Sequence, residues 1–212
     1  MKIYTEYKSE LFLKKFGITS SKSCITNNIK EAIILSKKMN FPLAVKIISQ
    51  DILHKTDTGG VIKCGNEDEV VKAYYKILGI AKKRKAHLEG ILLQEYITGS
   101  EIIVGIKKDS TFGHIILFGL GGVYTEILKD VSLRVCPLNK KEALSMINEI
   151  KNIKILERYR KQKPIDKNVL SNILVKVSQI PLKYKNITEL DINPLIANGN
   201  SIKAVDARMV TE

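Results

Sequence analysis

The chain has 212 residues, enough for one large domain or two small lobes with a buried core. Its hydrophobic content of 44% is ordinary for a globular protein, and no apolar run is long enough to span a bilayer. The N-terminus lacks the apolar segment of a signal peptide, and the three cysteines lack metal-ligand spacing. We therefore expect a reduced, cytoplasmic setting and no membrane partner.

The formal net charge of +13 favours acidic partners such as nucleotides, phosphorylated substrates, an acidic subunit or nucleic acid. The alternative is that the lysines, which are scattered along the chain, cover solvated helix faces. No stretch interleaves aromatic residues with arginine in the way that single-strand binders do, so nucleic-acid binding is less favoured.

Helix and strand patterns are mixed along the chain, which predicts an α+β fold. A helical pattern at 4–17 is followed by three helices that each begin at an Asn-x-x-Glu capping pair, and a further helix covers 168–180. The capping pairs are Asn28 with Glu31, Asn66 with Glu69, and Asn139 with Glu142. Apolar runs predict strands at 42–49, 90–97, 101–109 and 114–120, and a hairpin at 187–207.

Lys46 is the first residue that indicates a binding site. In the predicted strand 42–49 it shares a face with Ala44 and Ile48. A lysine on an apolar strand face loses hydration unless an anion lies close to it, which favours phosphate binding. The alternative is an edge lysine whose ammonium group reaches solvent.

The sequence ANGN at 197–200 predicts the turn of the C-terminal hairpin. If Asn198 and Gly199 are the central turn residues, Asn193 pairs with Ala204 and Asp191 pairs with Asp206.

This pairing predicts that Asp191, Asn193 and Asp206 project from one face of the hairpin. Two directly opposed carboxylates repel each other, so a cation between them would stabilise the arrangement. The ligands are all oxygen atoms, which suits Mg²⁺ or Mn²⁺. Pro194 leaves the register open, and the alternative is a solvated polar edge.

Two glycine stretches, at 58–60 and 119–122, can bring backbone N–H groups close to phosphates. Neither stretch is specific by itself. The chain has no P-loop pattern, and Tyr124 replaces the last glycine of a dinucleotide-binding fingerprint. Phosphate binding would therefore use a different fold.

Five ordered motifs carry a resemblance to a known family: AVKIISQDILHKTDTGGV, LLQEYITGSE, FGLGGVYTEILKDVSLRVCPL, ELDINPL and AVDAR. Together with the opening helix, they make nearly the whole chain resemble the ATP-grasp, β-type subunit of ADP-forming acetate–CoA ligases. These acyl-CoA synthetases are related to succinyl-CoA synthetase.

The resemblance implies an ATP-grasp fold, in which two α+β lobes hold the nucleotide between their sheets. It implies a single ATP-grasp domain over residues 1–212, with a smaller lobe at about 20–95. The larger lobe would comprise about 1–19 plus 96–212.

The resemblance also implies that the chain binds ATP or ADP together with Mg²⁺. Lys46 and the glycine loop would hold the phosphates, the hinge between the lobes at 94–96 would contact adenine through backbone groups, and Glu101 would contact the ribose hydroxyls. The residues assigned in this way are Lys46, Gly59, Gly60, Gln94, Glu95, Tyr96 and Glu101. Asn193 and Asp206, with Asp191 beside them, match the magnesium ligands. Arg134 resembles a basic residue near the transferring phosphoryl group, whose oxygens need positive charge.

His54 matches a histidine that is thought to carry the phosphoryl group in this family. A neutral imidazole on a loop bordered by glycines can act as a nucleophile and move. Asp51 or Asp57 could accept its other ring N–H, and Lys55 could offset the phosphate charge. The alternative is that His54 caps a turn or binds phosphate without being modified.

The family reaction is acyl-CoA + ADP + Pi ⇌ acid + CoA + ATP, through an acyl phosphate and phosphohistidine. This chain shows neither a CoA-binding domain nor the second histidine motif. The resemblance therefore implies a hetero-oligomer with an α-type, CoA-binding subunit that carries the catalytic histidine. Two alternatives stay open: a non-catalytic nucleotide-binding or regulatory subunit, and a basic nucleic-acid-binding protein.

Overall fold

The computed structural model describes residues 1–52, 55–122, 130–157 and 163–212. His54, the predicted phosphoryl carrier, lies outside the described residues. Within these ranges, none of the helices combines the length and the apolar character that a membrane crossing requires.

Strands and helices are mixed along the chain, as the sequence predicts. The described strands are β1 (Lys2–Tyr4), β2 (Ser23–Thr26), β3 (Leu43–Ile48), β4 (Val61–Cys64), β5 (Gly90–Glu95), β6 (Ser100–Asp109), β7 (Gly113–Leu120), β8 (Val131–Val135), β9 (Ile187–Asn198), β10 (Ser201–Ala204) and β11 (Ala207–Thr211). The described helices are α1 (Glu6–Lys14), α2 (Ile29–Lys37), α3 (Glu67–Arg84), α4 (Lys140–Glu149), α5 (Lys154–Glu157) and α6 (Lys167–Lys183).

The chain divides into two compact units. The small unit comprises residues 21–97, and the large unit comprises residues 1–20 together with 98–212. Each unit contains its own antiparallel sheet and its own hydrophobic core.

The small unit is built on a four-stranded sheet in the order β2-β5-β3-β4. Helices α2 and α3 begin where the sequence predicts, because the side chains of Asn28 and Asn66 accept hydrogen bonds from first-turn N–H groups. The core joins α3 to one face of the sheet through Val70, Ile77 and Val45, among other residues. The helices therefore cover one face of β3.

The large unit is built on a seven-stranded sheet, in which β1-β11-β9-β6-β7-β8 form a continuous path and β10 pairs with β9. Its core packs α4 and α6 on one face of the sheet, with residues such as Met146, Leu174, Phe118 and Leu190 fully buried. Asn139 begins α4 with a complete capping box formed with Glu142, as predicted.

The C-terminal hairpin differs from the predicted register by two residues. The turn residues are Gly199 and Asn200, since Asn198 pairs with Ser201. Gly199 has φ +62°, which a glycine at the first central turn position adopts readily. This two-residue shift changes the cross-strand partners, and β9 also shifts its register against β6 between Ile192 and Leu195, where Pro194 lies.

The corrected register changes the predicted carboxylate pair. Asp191 lies opposite Arg208 and not opposite Asp206. Asp206 lies in the two-residue connection between β10 and β11, where its carbonyl oxygen accepts a 3.0 Å hydrogen bond from the N–H of Asn193. The pairing of two opposed carboxylates was therefore wrong in detail, although Asp206 still lies at the level of Asn193 in the hairpin.

Candidate functional site

Lys46 and Gln94 lie on the same face of the small sheet. Lys46 pairs with Leu92, and Gln94 pairs with Ala44 one step along the same two strands. The alternate residues Leu43, Val45 and Ile47 belong to the helix-packed core, so Lys46 and Gln94 project to the opposite face. Lys46 is 4% exposed and Gln94 is fully buried. The structure thus brings together two of the residues predicted to bind nucleotide.

Glu95 and Tyr96 lie at the end of β5 and immediately after it. The Glu95 Oε2 atom accepts a 3.3 Å hydrogen bond from the N–H of Lys22. Tyr96 is 39% exposed, and the Lys63 Nζ atom lies 4.3 Å from its ring centroid. Lys63 pairs with Ala44 and therefore shares the sheet face of Lys46. Sequence reasoning missed Lys63. The available signal was that Val61 and Lys63, two residues apart on β4, lie on the same face of the strand.

Gly59 and Gly60 shape their loop in a way that differs from the predicted phosphate cradle. The N–H of Gly59 donates to Thr56 O at 3.0 Å, and the N–H of Gly60 donates to Lys55 O at 2.7 Å. A Cβ atom at Gly60 would come within 2.6 Å of the Ile47 side chain. The two glycines are thus needed for a tight turn against β3, and their contact with phosphate stays a prediction.

Asp51 was one of two carboxylates expected to orient the His54 ring. Its Oδ2 atom accepts a 2.7 Å hydrogen bond from the backbone N–H of His87. This bond ties the start of the loop to the segment after α3. The orienting role of Asp51 or Asp57 stays a prediction, because His54 itself lies outside the described residues.

Glu101 lies on β6 beside the end of the second glycine stretch. The N–H of Gly121 donates to the carbonyl oxygen of Glu101 at 2.7 Å. A Cβ atom at Gly122 would lie 2.6 Å from Glu101 Oε2, so a side chain there would displace the carboxylate. The sequence predicts both features but not their contact, and the role of Glu101 toward a ribose stays a prediction.

Strand register separates two faces of the large sheet. On one face, a cross-strand row runs through Arg134, Ile116, Ile106, Leu190 and Met209. The four apolar members of this row are buried in the core that packs against α4 and α6. This face is the helix-packed face.

The neighbouring row projects to the other face, which we call the Asp191 face. It runs through Leu133, Leu117, Gly105, Asp191 and Arg208. Gly105 brings no side chain against Asp191, and a Cβ atom there would lie 3.9 Å from Asp191 Oδ1. Arg134 and Asp191, which the sequence assigned to one reaction centre, therefore lie on opposite faces of one sheet.

Arg134 is held by acceptors on the helix-packed face. Its Nη1 atom donates to the Leu133 carbonyl oxygen at 2.8 Å and to Ser132 Oγ at 3.3 Å. Its Nη2 atom forms a salt bridge with Glu149 at the end of α4. These contacts join β8 to α4. The assignment of Arg134 to the transferring phosphoryl group stays a prediction that this geometry does not favour.

The Arg134–Glu149 pair leads to a pH prediction. Hydrogen bonds from Arg134, Ser132 and Ser145 lower the pKa of Glu149 from 4.5 to about 2. A lowered folded-state pKa gives a stability contribution that is complete above pH 4.5 and lost as the pH falls to about 2. We expect Glu149→Gln to reduce the pH dependence of the free energy of unfolding in this pH range, as measured by urea titration at several pH values. Arg134→Gln should remove most of the same slope, and the double variant should add little. An unchanged slope in Arg134→Gln would contradict the structural role.

The carboxylates of the Asp191 face carry an excess of negative charge. Burial, together with repulsion from Glu189 and Asp206, raises the pKa of Asp191 to about 6, while Arg208 opposes the rise. Asn193 is exposed and is separated from Asp191 by the buried Ile192. A divalent cation would relieve this repulsion, and carboxylate and amide oxygens are suitable ligands for magnesium.

No group of three or more His, Cys, Asp and Glu side chains forms a metal cluster in the described parts of the chain. The predicted set of Asp191, Asn193 and Asp206 is of a different kind, since it contains two carboxylates and one amide. Sequence reasoning missed Arg208 and Glu189 beside this set. The signal for Arg208 was its position two residues after Asp206 on a strand.

A cleft of about 330 Å³ lies at the β1–β11 edge of the large unit. Tyr4, Lys8, Phe12 and Tyr184 contribute to its lining. None of the predicted site residues lines it, so this cleft is separate from the Asp191 face.

Comparison with known proteins identifies the family of this chain. The model of the ATP-grasp domain family matches residues 1–211. The chain is 41% identical over 209 residues to the β subunit of acetate–CoA ligase (ADP-forming) I from Pyrococcus furiosus, covering 97% of this chain and 90% of that protein. It is 38% identical over 201 residues to acetate–CoA ligase (ADP-forming) I from Archaeoglobus fulgidus. That match covers 93% of this chain and 29% of the relative, so the chain spans under a third of this longer protein.

Solved structures give the same relationship. A structure of acetyl-coenzyme A synthetase 1 from Ca. Korarchaeum cryptofilum, with coenzyme A and Ca-AMPCP, has a TM-score of 0.95 at 38% identity. The match covers 100% of this chain and 94% of the chain in that structure. A second structure of that protein contains coenzyme A and Mg-AMPPCP, with a phosphohistidine segment that points towards the nucleotide site. Its TM-score is 0.85 at 36% identity, with 100% of this chain and 93% of that chain covered.

The family match over almost the whole chain, the β-subunit relative and the similarity in fold lead to one conclusion. The chain belongs to the ATP-grasp domain family and, within it, to the group that contains the β subunits of ADP-forming acetate–CoA ligases.

Proposed function

We propose that this chain is the nucleotide-binding, β-type subunit of an ADP-forming acyl-CoA synthetase, with acetyl-CoA as the first substrate to test. Its part of the reaction is phosphoryl exchange between ADP or ATP and phosphohistidine. Together with an α-type polypeptide, it would convert acyl-CoA, ADP and phosphate into acid, CoA and ATP.

The observation that carries this proposal is the Asp191 face of the large sheet. Asp191, Asn193 and Asp206 bring oxygen ligands to adjacent positions of one hairpin. Burial first, and then the charges of Glu189 and Asp206, raise the pKa of Asp191, so its ionised carboxylate would be stabilised by a cation. These residues fit Mg²⁺, and the solved Mg-AMPPCP complex of the Korarchaeum relative supports the same choice.

When bound, magnesium would neutralise part of the charge on the nucleotide phosphates. Asp206, Asn193 and Asp191 would be its protein ligands. In the small unit, Lys46 would hold the phosphates, and Gln94 with the chain after it would contact the base. The burial of Lys46 supports this role, since a buried ammonium group interacts more strongly with an anion than a solvated one.

The exchange step needs only the nucleotide, the histidine and one proton. In ATP synthesis, a terminal oxygen of ADP forms a P–O bond while the P–N bond of phosphohistidine breaks. The electron pair of that bond returns to the ring nitrogen, and one proton is taken up to balance charge. In the opposite direction, a neutral imidazole attacks the terminal phosphorus of ATP and ADP leaves. We propose His54 as a carrier on this chain.

The partner is proposed from the length of the relatives. The chain spans 90% of a β subunit but 29% of a longer relative with the same ligase activity in its name. The remaining part of the longer protein would correspond to the α-type polypeptide, which would bind CoA and carry the second histidine. We also propose a cytoplasmic location, because Cys24, Cys64 and Cys136 are free thiols.

Binding of nucleotide by the isolated chain tests this proposal. We expect titration calorimetry to show ADP binding that is stronger in the presence of Mg²⁺ than in its absence. The chain alone should form no acyl-CoA from acid, CoA and ATP. Failure to bind either ADP or ATP with Mg²⁺ would contradict the proposed function.

A further inference from the structure

Arg208 is a charged residue of the Asp191 face to which neither the family motifs nor the proposed function gives a role. It lies on β11 directly opposite Asp191 on β9. Asp206 precedes it by two residues, so Arg208 adjoins both carboxylates of the proposed magnesium site.

The hydrogen-bonding capacity of Arg208 is not used up by the described residues. Its Nε atom is buried and has no hydrogen-bond partner among them. Its Nη1 atom lies 3.9 Å from Glu189 Oε1, which is beyond hydrogen-bond distance. The side chain as a whole is 39% exposed, so Arg208 is not enclosed in the core.

Arg134 provides the contrast within the same sheet. Its guanidinium group already donates to a backbone carbonyl and to Ser132, and it pairs with Glu149. It also projects to the helix-packed face, whereas Arg208 projects to the Asp191 face. A buried N–H donor without an acceptor is unfavourable, so Arg208 would gain more from an anionic ligand than Arg134 would.

The planar guanidinium fork fits the oxygens of a phosphoryl group, which need positive charge during transfer. Building on the proposed function, we propose that Arg208 binds the phosphoryl group that moves between the nucleotide and phosphohistidine. Arg208 neither gains nor loses a proton in that step. It takes the role that the family resemblance implied for Arg134.

A purely structural role makes a different prediction. Opposite charges on paired strands stabilise a sheet, and Arg208 could serve only to hold Asp191 and Glu189. Loss of that support would weaken the magnesium site, and it would therefore affect ADP and ATP alike. A phosphoryl-binding role would affect the nucleotide with the terminal phosphoryl group much more strongly.

The test compares Arg208→Gln with the wild-type chain in two measurements. In titration calorimetry with Mg²⁺, we expect AMPPCP affinity to fall about tenfold and ADP affinity to change less than about twofold. With the α-type partner, kcat for phosphoryl exchange should fall about 100-fold. Arg208→Lys should recover part of the rate, since it restores the charge but not the fork, and it replaces Arg208→Gln if that variant does not fold.

Arg84→Gln removes the same charge from the exposed end of α3 and should leave all these values near wild type. Equal weakening of ADP and AMPPCP binding, with a higher Mg²⁺ requirement, would overturn the inference in favour of the structural role. A selective loss of AMPPCP affinity in Arg134→Gln but not in Arg208→Gln would overturn it in favour of Arg134. If the wild-type chain bound neither nucleotide, the proposed function would fail and this inference with it.

Discussion

Replacing His54 by alanine should stop phosphoryl exchange between ATP and the α-type partner while leaving nucleotide affinity within about twofold of wild type. The exchange rate should fall at least about a thousandfold, because no other group replaces a lost covalent nucleophile. His54→Asn should behave in the same way, since an amide keeps polarity but is not a nucleophile. The measurement is transfer of label from γ-labelled ATP to the partner.

His87→Ala is the matched control for this experiment. His87 is exposed and follows α3, and its bond to Asp51 uses the backbone N–H, which the substitution retains. It should therefore transfer label at the wild-type rate. If His54→Ala also passes label at that rate, His54 is not a carrier, and its loop would only position phosphate through its backbone.

The second large effect is expected at the proposed magnesium site. Asp206→Ala removes one carboxylate from the oxygen ligands of a hard cation. The factor by which Mg²⁺ increases ADP affinity should fall at least about tenfold. Replacing a residue that only hydrogen-bonds to a metal ligand already lowers metal affinity about 10- to 100-fold, so losing a ligand itself should cost no less. Titration calorimetry of ADP with and without Mg²⁺ measures this gain.

Asp68→Ala controls for the loss of one negative charge. Asp68 lies in the exposed first turn of α3, and its removal should leave the magnesium dependence unchanged. A wild-type magnesium dependence in Asp206→Ala would show that the cation has other ligands.

Local features of this fold could be predicted from the sequence because they depend on neighbouring residues. The caps at Asn28, Asn66 and Asn139 each use a first-turn N–H group two or three residues ahead. The strand around Lys46 follows from a short apolar run. The family motifs then supplied the ATP-grasp fold, which the family match and the solved structures confirm.

Features that depend on long-range pairing could not be predicted in the same way. The ANGN sequence offers two turns that differ by one residue, and the wrong choice shifted every pair in the hairpin by two. In the observed register the cross-strand partner of Asp191 is Arg208 and not Asp206.

The face on which Arg134 lies illustrates a further limit. Alternation shows that Arg134 and Ser132 share a face, but it does not show which face the helices cover. That information comes from the pairing of β8 with β7 and from the position of Glu149 at the end of α4. The family resemblance implied a phosphoryl role for Arg134 without this information, and its guanidinium group contacts Ser132, Leu133 and Glu149.

The central claim is that this chain supplies the nucleotide half of a two-polypeptide synthetase. The most direct measurement is ATP formation from acetyl-CoA, ADP and phosphate, in a coupled assay with and without an α-type polypeptide. The account predicts sustained ATP formation only when both polypeptides and Mg²⁺ are present. ATP formation by this chain alone, or none in combination with any α-type polypeptide that is active with its own β subunit, would contradict it.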